Sequence, residues 1–306
     1  MPKVSVLLPV FNAARYLPRA LASILAQTER DFELIAVDDG STDRSLPILQ
    51  AHARQDARVR VISRSNTGIV GALTDGLAAC TAPWIARMDA DDWCAPSRLE
   101  RQLRHLATVR GCVALGTWVM FTDPEGRPLK TYQPPTGHAE IEAELCGGNG
   151  GALVHPSCIF SRDALLASGG YRGQSPSPED LDLFVRLLDH GQLANLPEVL
   201  FFYRQHAASI THQAGAWDAL RAEITRDLRA RHGLAPLPAR ADAKASARVP
   251  DRSDYRRRWA LYAVEGGHLP SAWANLALAL LRAPWKRENF SALGYLLHLW
   301  RNGAAR

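Results

Sequence analysis

Two acidic clusters follow apolar stretches of the sequence, and carboxylates in such positions can bind metal ions and nucleotides. Asp89 and Asp91 stand one residue apart, directly after a strand predicted at residues 84–88. A carboxylate pair at this spacing can share a divalent cation with a diphosphate, because Mg²⁺ and Mn²⁺ prefer oxygen ligands and often keep substrate phosphates among them. An Asp-x-Asp tripeptide is also a common acidic turn, so it means little by itself.

The second cluster, Asp38-Asp39, follows the apolar residues 32–37 in the same way. A carboxylate here can accept a hydrogen bond from an imide N–H such as that of uracil, and the ring of Phe11 can stack on a base. The segment Asp-Gly-Ser-Thr-Asp is equally typical of a strand-to-helix loop. The two clusters carry more weight together, because both are predicted to lie at one edge of a sheet.

Two further candidates lie later in the chain. Glu179-Asp180 stands at the start of a helix predicted over residues 180–190. Acids at a helix N-terminus favour the macrodipole, which explains them without any catalytic role. The alternative is a general base that takes the proton from an attacking hydroxyl. His206 could contact a metal or a diphosphate, although a single histidine usually does neither.

Alternating strands and helices are predicted to position these residues. Four strands are predicted, at residues 4–10, 32–37, 59–62 and 84–88, and apolar positions at helical spacing lie between them. This order predicts an α/β fold with a parallel sheet and right-handed crossovers. Ligands of such sheets gather at the carboxyl ends of the strands, where both acidic clusters and Phe11-Asn12 are expected.

Bulk composition limits the class of protein. The 306 residues are 47% hydrophobic and 22% charged, which is typical of a soluble globular protein. The five cysteines are scattered and form no CxxC pair, which argues against a disulfide framework or a zinc site and favours a reducing cytoplasm. The first residues are expected to form a strand, and not a signal peptide.

Charge and tryptophan content change towards the end of the chain. Residues 217–306 hold 16 Lys/Arg against 8 Asp/Glu and five of the eight tryptophans, whereas the preceding part holds 20 against 23. After an Ala/Pro-rich linker, helices are predicted over residues 270–282 and 287–302. The second carries an apolar stripe: Phe290, Leu293, Leu297 and Trp300. Two interpretations stay open: the helices lie on anionic lipid, or they pack on the rest of the protein or on a second copy.

Nine short motifs then reveal a resemblance to a known family. In order they are PVFNAARYL, SILAQT, DFELIAVDDGSTD, NTG with GALTDGL, MDADD, HPS, GGYR, EDLDLFVRL and YRQHAAS. Together, over roughly residues 3–211, they are similar to glycosyltransferase family 2, inverting enzymes of the GT-A fold. The resemblance implies a Rossmann-like nucleotide-binding half, a mixed central sheet and, beyond the shared motifs, a C-terminal helical appendage.

The implied domain organisation has three parts. A catalytic domain covers residues 1–233, with a nucleotide-sugar-binding half at 1–110 and an acceptor-binding half at 111–233. A linker follows at 234–253, and a helical C-terminal region at 254–306.

The resemblance also implies a role for each matching residue. The nucleotide-sugar would contact nine residues: Pro9, Phe11, Asn12, Asp38, Asp39, Asn66, Gly68, Asp89 and Ala90. Among them Phe11 and Asp39 would hold the base, Asp38 would shape their loop, and Asp89 would contact ribose or donor.

Metal and catalysis fall to the remaining residues. Asp91 would bind Mn²⁺ or Mg²⁺ through the diphosphate, with His206 near the metal. Asp180 would be the catalytic base and Glu179 would contact the acceptor. One departure weakens any inference about the donor: many members have an Asn in the helix where this chain has Thr74-Asp75-Gly76.

The function implied is inverting transfer of a sugar from a nucleotide diphosphate-sugar, with UDP favoured, to a hydroxyl of a saccharide or lipid-linked saccharide. The expected setting is cell-surface polysaccharide or lipopolysaccharide synthesis in the cytoplasm or at the cytoplasmic face of the inner membrane, without a nucleic acid partner. One alternative is a catalytically degenerate sugar-nucleotide-binding protein. A second, less favoured alternative is a sugar-nucleotide pyrophosphorylase, which would need a glycine-rich basic loop after the first strand. A nicotinamide dehydrogenase would need the motif GxGxxG at the same place. The chain has Phe11-Asn12-Ala13-Ala14 there, which disfavours both classes of enzyme.

Overall fold

The computed structural model describes residues 1–173, 178–207, 218–237 and 250–301. The chain folds into two compact units. The first comprises Met1–Val119, Gln133–Phe202 and Ala216–Pro238. The second comprises Met120–Tyr132, Tyr203–Gly215 and Ala239–Arg306.

The first unit begins with the predicted alternation of strands and helices. Its elements are β1 (Val4–Val10), α1 (Leu17–Leu25), β2 (Phe32–Asp38), α2 (Ser45–Gln55), β3 (Val59–Ser63), α3 (Ile69–Ala79) and β4 (Trp84–Arg87). These four strands are parallel and lie in the order β3-β2-β1-β4. The register sets Val10 beside Asp38 and Leu7 beside Arg87, so the strands end at one edge.

The later elements extend this sheet. They are β5 (Trp93–Cys94), α4 (Arg98–Leu106), β6 (Cys112–Thr122), β7 (Pro128–Tyr132), α5 (His138–Cys146), β8 (Ile159–Ser161), α6 (Arg162–Ala167), α7 (Glu179–Leu187), β9 (Gln192–Arg204) and α8 (Asp218–Arg231). Across the described residues the order continues β4-β8-β6-β9-β5, with β7 paired to β6. Strand β8 is antiparallel to both β4 and β6, so the predicted mixed central sheet is confirmed.

Close packing of helix on sheet holds the nucleotide-binding side together. Every residue of β1 is buried, as expected for a strand covered on both faces. Gly76 of α3 lies so near this strand that an added Cβ would be 2.2 Å from Leu7 Cδ1. The absence of a side chain at Gly76 therefore lets Leu73 and Leu77 of α3 reach the core beneath β1 and β2.

Among its described residues the second unit has three helices, α9 (Arg252–Glu265), α10 (Leu269–Arg282) and α11 (Arg287–Arg301). The sequence predicted the last two as separate helices; α9 lies almost wholly within the region 254–306 that was expected to be helical, and its first two residues fall inside the expected linker. Residues 238–249 of that linker and 302–306 lie outside the described residues. The helices share an apolar core with Leu129 of β7, and Arg256 forms a bidentate ion pair with Glu125 at 2.6 and 2.7 Å.

The predicted stripe on α11 coincides only in part with the face that the helix buries, where Leu293 packs against the apolar core of this unit. The buried residues of α11 are Asn289, Ala292 and Leu296, while the side chains of Phe290 and Trp300 are 53% and 65% exposed. Within the part of the chain that the structure describes, no helix has both the length and the apolar character needed to cross a bilayer.

Candidate functional site

Two loops at the carboxyl edge of the sheet are tied together by Asn12, which follows β1. Its backbone adopts φ 48°, a conformation that asparagine tolerates better than most residues. Its Oδ1 accepts a hydrogen bond from the Thr42 N–H at 2.8 Å, and its own N–H donates to Ser41 Oγ at 3.0 Å. Pro9, the residue before the last one of β1, is buried. Phe11 lies between β1 and Asn12, and its side chain is 52% exposed.

Asp38 and Asp39 are both buried but have different surroundings. Asp39 accepts hydrogen bonds from the N–H groups of Thr67 and Gly68, at 3.1 and 2.8 Å. Asp38 receives one long bond of 3.5 Å from Ser63 Oγ, and its Oδ1 is buried without a hydrogen-bond partner among the described residues. Asp39 therefore orders the neighbouring loop, whereas Asp38 has an acceptor oxygen to spare. Which of them contacts a base stays a prediction.

The loop after β3 packs closely against the backbone at Gly40, the residue that follows Asp39. Gly40 has φ +73°, and a Cβ there would lie 2.8 Å from the Asn66 backbone nitrogen, so the position requires glycine. Asn66 is exposed, and Gly68, with φ 86°, is the N-cap residue directly before α3. Arg64 forms ion pairs with Asp39 at 3.4 Å and with Asp75 at 2.9 Å. Asp75, the residue that departs from the family pattern, is thus tied to the same loop.

Three carboxylates meet directly after β4. Asp89, Asp91 and Asp92 each offer an oxygen, and these oxygens lie within 4.8 Å of one another. Clustered hard oxygen donors suit Mg²⁺ or Mn²⁺, so the residues fit the expected ion. The sequence predicts Asp91 as a metal ligand. Asp92 is not among the predicted ligands, although it belongs to the same motif, MDADD. Ala90, between the first two acids, is buried.

A buried arginine, Arg87, pairs with Asp89 within this acidic region. Burial and the neighbouring charges of Asp91 and Asp180 raise the pKa of Asp89, although Arg87 opposes them. Burial would lower the pKa of Arg87, but the carboxylate of Asp89 outweighs it and the pKa is raised. The sequence analysis missed Arg87; the available signal was a cation inside the apolar strand Trp84–Arg87.

Glu179 and Asp180 begin α7 and lie within electrostatic reach of Asp89. Burial first, and then the charge of Asp180, raise the pKa of Glu179 to about 7. Asp180 is half-buried, and its Oδ1 accepts from the Leu181 N–H at 2.8 Å. Asp182, the next acid on the helix, is held by Arg186 at 2.5 Å. The structure thus brings together the Asp-x-Asp and Glu-Asp motifs, which are about 90 residues apart in the chain.

The HPS and GGYR motifs meet beneath this cluster. His155 Nε2 lies 3.1 Å from the hydroxyl of Tyr171, and both side chains are buried. Burial, followed by the charge of Arg87, lowers the pKa of His155 well below its usual value, so the imidazole is neutral at pH 7. Burial also raises the pKa of Tyr171. Neither residue had been selected as a site residue from the sequence.

His206 follows β9 and belongs to the second unit, whereas the acidic cluster belongs to the first. Its side chain is half-buried. Its predicted contact with a metal or diphosphate stays a prediction.

Comparison with known proteins follows the same motifs. Residues 5–167 match the family model described as glycosyl transferase family 2. The chain belongs to this family. A relative from Haemophilus influenzae, an uncharacterised glycosyltransferase, is 31% identical over 217 residues, which are 67% of this family 2 chain and 66% of that protein. The O-antigen biosynthesis glycosyltransferase WbnJ of Escherichia coli is 31% identical over 70% of the chain and 84% of its own length.

Solved structures support the fold of this family 2 glycosyltransferase. Residues 1–349 of Staphylococcus aureus TarS, in complex with UDP-GlcNAc, match 98% of the chain and 92% of that structure with a TM-score of 0.60 and 15% identity. The mannosyltransferase PcManGT from Pyrobaculum calidifontis, in complex with GDP-Man and Mn²⁺, matches 97% of the chain and 80% of that structure, with a TM-score of 0.53 and 18% identity. The predicted GT-A fold is therefore confirmed.

Proposed function

We propose that this family 2 protein is a metal-dependent inverting glycosyltransferase that moves a sugar from a nucleotide diphosphate-sugar to an acceptor hydroxyl. The observation that carries the proposal is the meeting of Asp89, Asp91 and Asp92 with Glu179 and Asp180 at one edge of the sheet. Such a transfer requires an acidic cluster that can bind a metal ion together with the diphosphate. It also requires a separate carboxylate that can accept a proton from the attacking hydroxyl.

In the proposed reaction the carboxylate of Asp180 takes the proton of the acceptor hydroxyl. The hydroxyl oxygen attacks the anomeric carbon from the face opposite the nucleotide, and the bond to the diphosphate breaks as the new bond forms. The configuration at that carbon inverts, and no sugar becomes attached to the protein. Because the pKa of Glu179 is about 7, both its protonated and its ionised form are present at neutral pH. Its side chain can therefore donate a hydrogen bond to a hydroxyl of the acceptor sugar or accept one from it.

Asp89, Asp91 and Asp92 would hold Mn²⁺ or Mg²⁺. A bound divalent cation supplies positive charge that stabilises the departing diphosphate. Arg87 keeps the Asp89 carboxylate in place and offsets part of the negative charge that accumulates there. Because metal binding requires ionised carboxylates, this pairing favours the form of Asp89 that can act as a ligand.

The donor is proposed to be a UDP-sugar. The carboxylate pair Asp38-Asp39 offers an acceptor for the imide N–H of uracil, and the exposed ring of Phe11 lies at the end of the adjacent strand. TarS in complex with UDP-GlcNAc agrees with this choice, whereas PcManGT in complex with GDP-Man shows that the fold also accepts a purine. Given WbnJ, we place the activity in O-antigen or related polysaccharide synthesis.

A donor screen tests this proposal. Purified protein is incubated with Mn²⁺ and a panel of UDP-, GDP- and dTDP-sugars, and nucleotide release and thermal shifts are measured. We expect one UDP-sugar to raise the melting temperature only in the presence of metal and to release UDP slowly by hydrolysis. No shift and no release with any nucleotide-sugar would favour the degenerate binding protein, and release from GDP-sugars alone would contradict the choice of uracil.

A second proposal concerns the membrane surface. At the turn between α10 and α11 the side chains of Leu281 and Trp285 are 79% and 77% exposed, and Phe290 follows within one helical turn of the start of α11. Arg282 and Arg287 are exposed beside them. Aromatic rings and basic side chains in this arrangement are typical of contact with anionic lipid head groups. We propose that this turn binds the bilayer that carries a lipid-linked acceptor.

Liposome flotation tests the membrane proposal. The double change Trp285→Ser and Phe290→Ser is expected to reduce binding to vesicles with 30% anionic lipid, roughly tenfold, because two interfacial rings are lost. Leu166→Ser, at an exposed apolar residue of the first unit, is the matched control and should bind like the unchanged protein. Equal binding by all three proteins, or a dimer that the double change dissociates, would contradict the proposal.

A further inference from the structure

A groove of about 810 Å³ in the first unit takes no part in the mechanism above. It is formed by the end of β6, the segment that follows β7, and one face of α5. Nine residues line it: Trp118, Gln133, Pro134, Pro135, Thr136, Glu140, Ala143, Glu144 and Gly147.

The strand register sets this groove on the same edge of the sheet as the acidic cluster. Leu115 of β6 pairs with Ile159 of β8, which in turn pairs with Ala86 of β4. Both pairings are antiparallel, so β6 and β4 run in the same direction. Trp118 follows Leu115 by three residues and Asp89 follows Ala86 by three residues, so both lie beyond the paired positions in the same direction along the sheet.

The side chains of the groove suit the surface of a sugar. The indole N–H of Trp118 donates to the Pro134 carbonyl at 3.2 Å, which fixes the orientation of the ring. The ring and the two prolines offer apolar surface to the C–H face of a pyranose. Gln133 and Thr136 are exposed and can bond hydroxyl groups from the opposite direction.

Two carboxylates complete the polar side of the groove. Glu140 and Glu144 lie one turn apart on α5. One oxygen of Glu140 accepts from the Gly137 N–H at 3.1 Å, and one of Glu144 accepts from Asn149 Nδ2 at 2.7 Å. These bonds orient the carboxylates and use one oxygen of each, so the other oxygen can accept from a sugar hydroxyl. Among the residues that the structure describes, the lining contains no Lys, Arg or His side chain, which disfavours uronate, sialate or phosphate groups.

We propose that this groove binds sugar units of an uncharged saccharide acceptor next to the unit that reacts. The inference rests on the proposed transferase function and names the substrate class of its acceptor side. A bare monosaccharide would reach only the reacting position. A longer acceptor would also contact Trp118 and the carboxylates of α5.

Ala143 provides a test that leaves these contacts in place. It is an exposed residue of α5 that lines the groove, and Ala143→Met would fill the space with an uncharged side chain that helices accept well. Ala139→Met is the matched control, because Ala139 is exposed on the same helix outside the groove. Binding of maltohexaose, cellohexaose and chitohexaose, with tetragalacturonate as the anionic probe, is measured by saturation-transfer NMR without nucleotide.

We expect at least one neutral hexasaccharide to bind the unchanged protein, with affinity reduced tenfold or more by Ala143→Met and unchanged by Ala139→Met. Glu144→Gln removes a negative charge from the lining and should strengthen binding of tetragalacturonate relative to the neutral probe. Absence of binding by every neutral probe at millimolar concentration, equal binding by both methionine variants, or preference for the anionic probe would overturn the proposal. Asp91→Asn, which impairs the transferase site alone, should bind the hexasaccharide normally, so failure of the groove and failure of the proposed function are distinguishable.

Discussion

Replacing Asp180 by Asn is expected to lower the rate of sugar transfer by ~10²–10⁴-fold while donor affinity stays nearly unchanged. Asn keeps the size of the side chain and can still accept from the Leu181 N–H, but it cannot take a proton from the acceptor. The measurement is steady-state nucleotide release with acceptor, beside a melting curve and a donor titration. Slow hydrolysis of the donor without acceptor should fall much less than transfer.

The competing explanation of Asp180 is a favourable charge at the N-terminus of α7. In that case Asp180→Asn would cost at most ~1 kcal/mol of stability and leave transfer largely intact. Glu179→Gln is the paired control, with a larger effect on acceptor KM than on donor binding. If Asp180→Asn transfers normally, Asp182 is a weak substitute as base, because Arg186 already holds its carboxylate at 2.5 Å.

Asp91→Asn is expected to abolish metal-supported binding of the donor while the melting temperature of the free protein changes little. Asp91 lies after β4, outside the apolar core. When no cation is bound, its negative charge and those of the neighbouring carboxylates repel one another, so loss of this charge does not destabilise the free protein. EDTA should have the same effect on the unchanged protein, and Mn²⁺ should reverse it. Isothermal titration with nucleotide, in Mn²⁺ and in EDTA, makes the measurement.

Asp227→Asn is a matched control for this change, because Asp227 is an exposed acid on α8. Full transfer in EDTA by protein free of bound metal would contradict the metal proposal. The binding of Mn²⁺ should also weaken as the pH falls, because Asp89 has a raised pKa and its protonation removes a ligand.

The sequence was informative where function depends on local patterns. Apolar runs ending in acids placed β2 and β4 and their carboxylates at one edge, because parallel strands must end together. The sequence was silent where function depends on contacts between distant segments. Arg87 becomes buried, and His155 meets Tyr171, only when β4, the HPS turn and the GGYR segment pack together.

The C-terminal region shows why an apolar pattern alone was insufficient. The stripe of Phe290 and Trp300 had the spacing of a helix face, but α11 buries the adjacent face with Ala292 and Leu296. Which of two neighbouring apolar faces is covered depends on the partner helix, and the pattern of a single helix contains no information about its partner.

The bonds that Asn12 makes to Ser41 and Thr42 have a kinetic consequence. They immobilise two loops before any ligand arrives, so the loss of conformational entropy is incurred when the chain folds and not when a nucleotide associates. A binding face that is already organised needs no rearrangement after collision. Association at this edge should therefore be governed by diffusion and orientation, with residence time set by how strongly the base and phosphates are held.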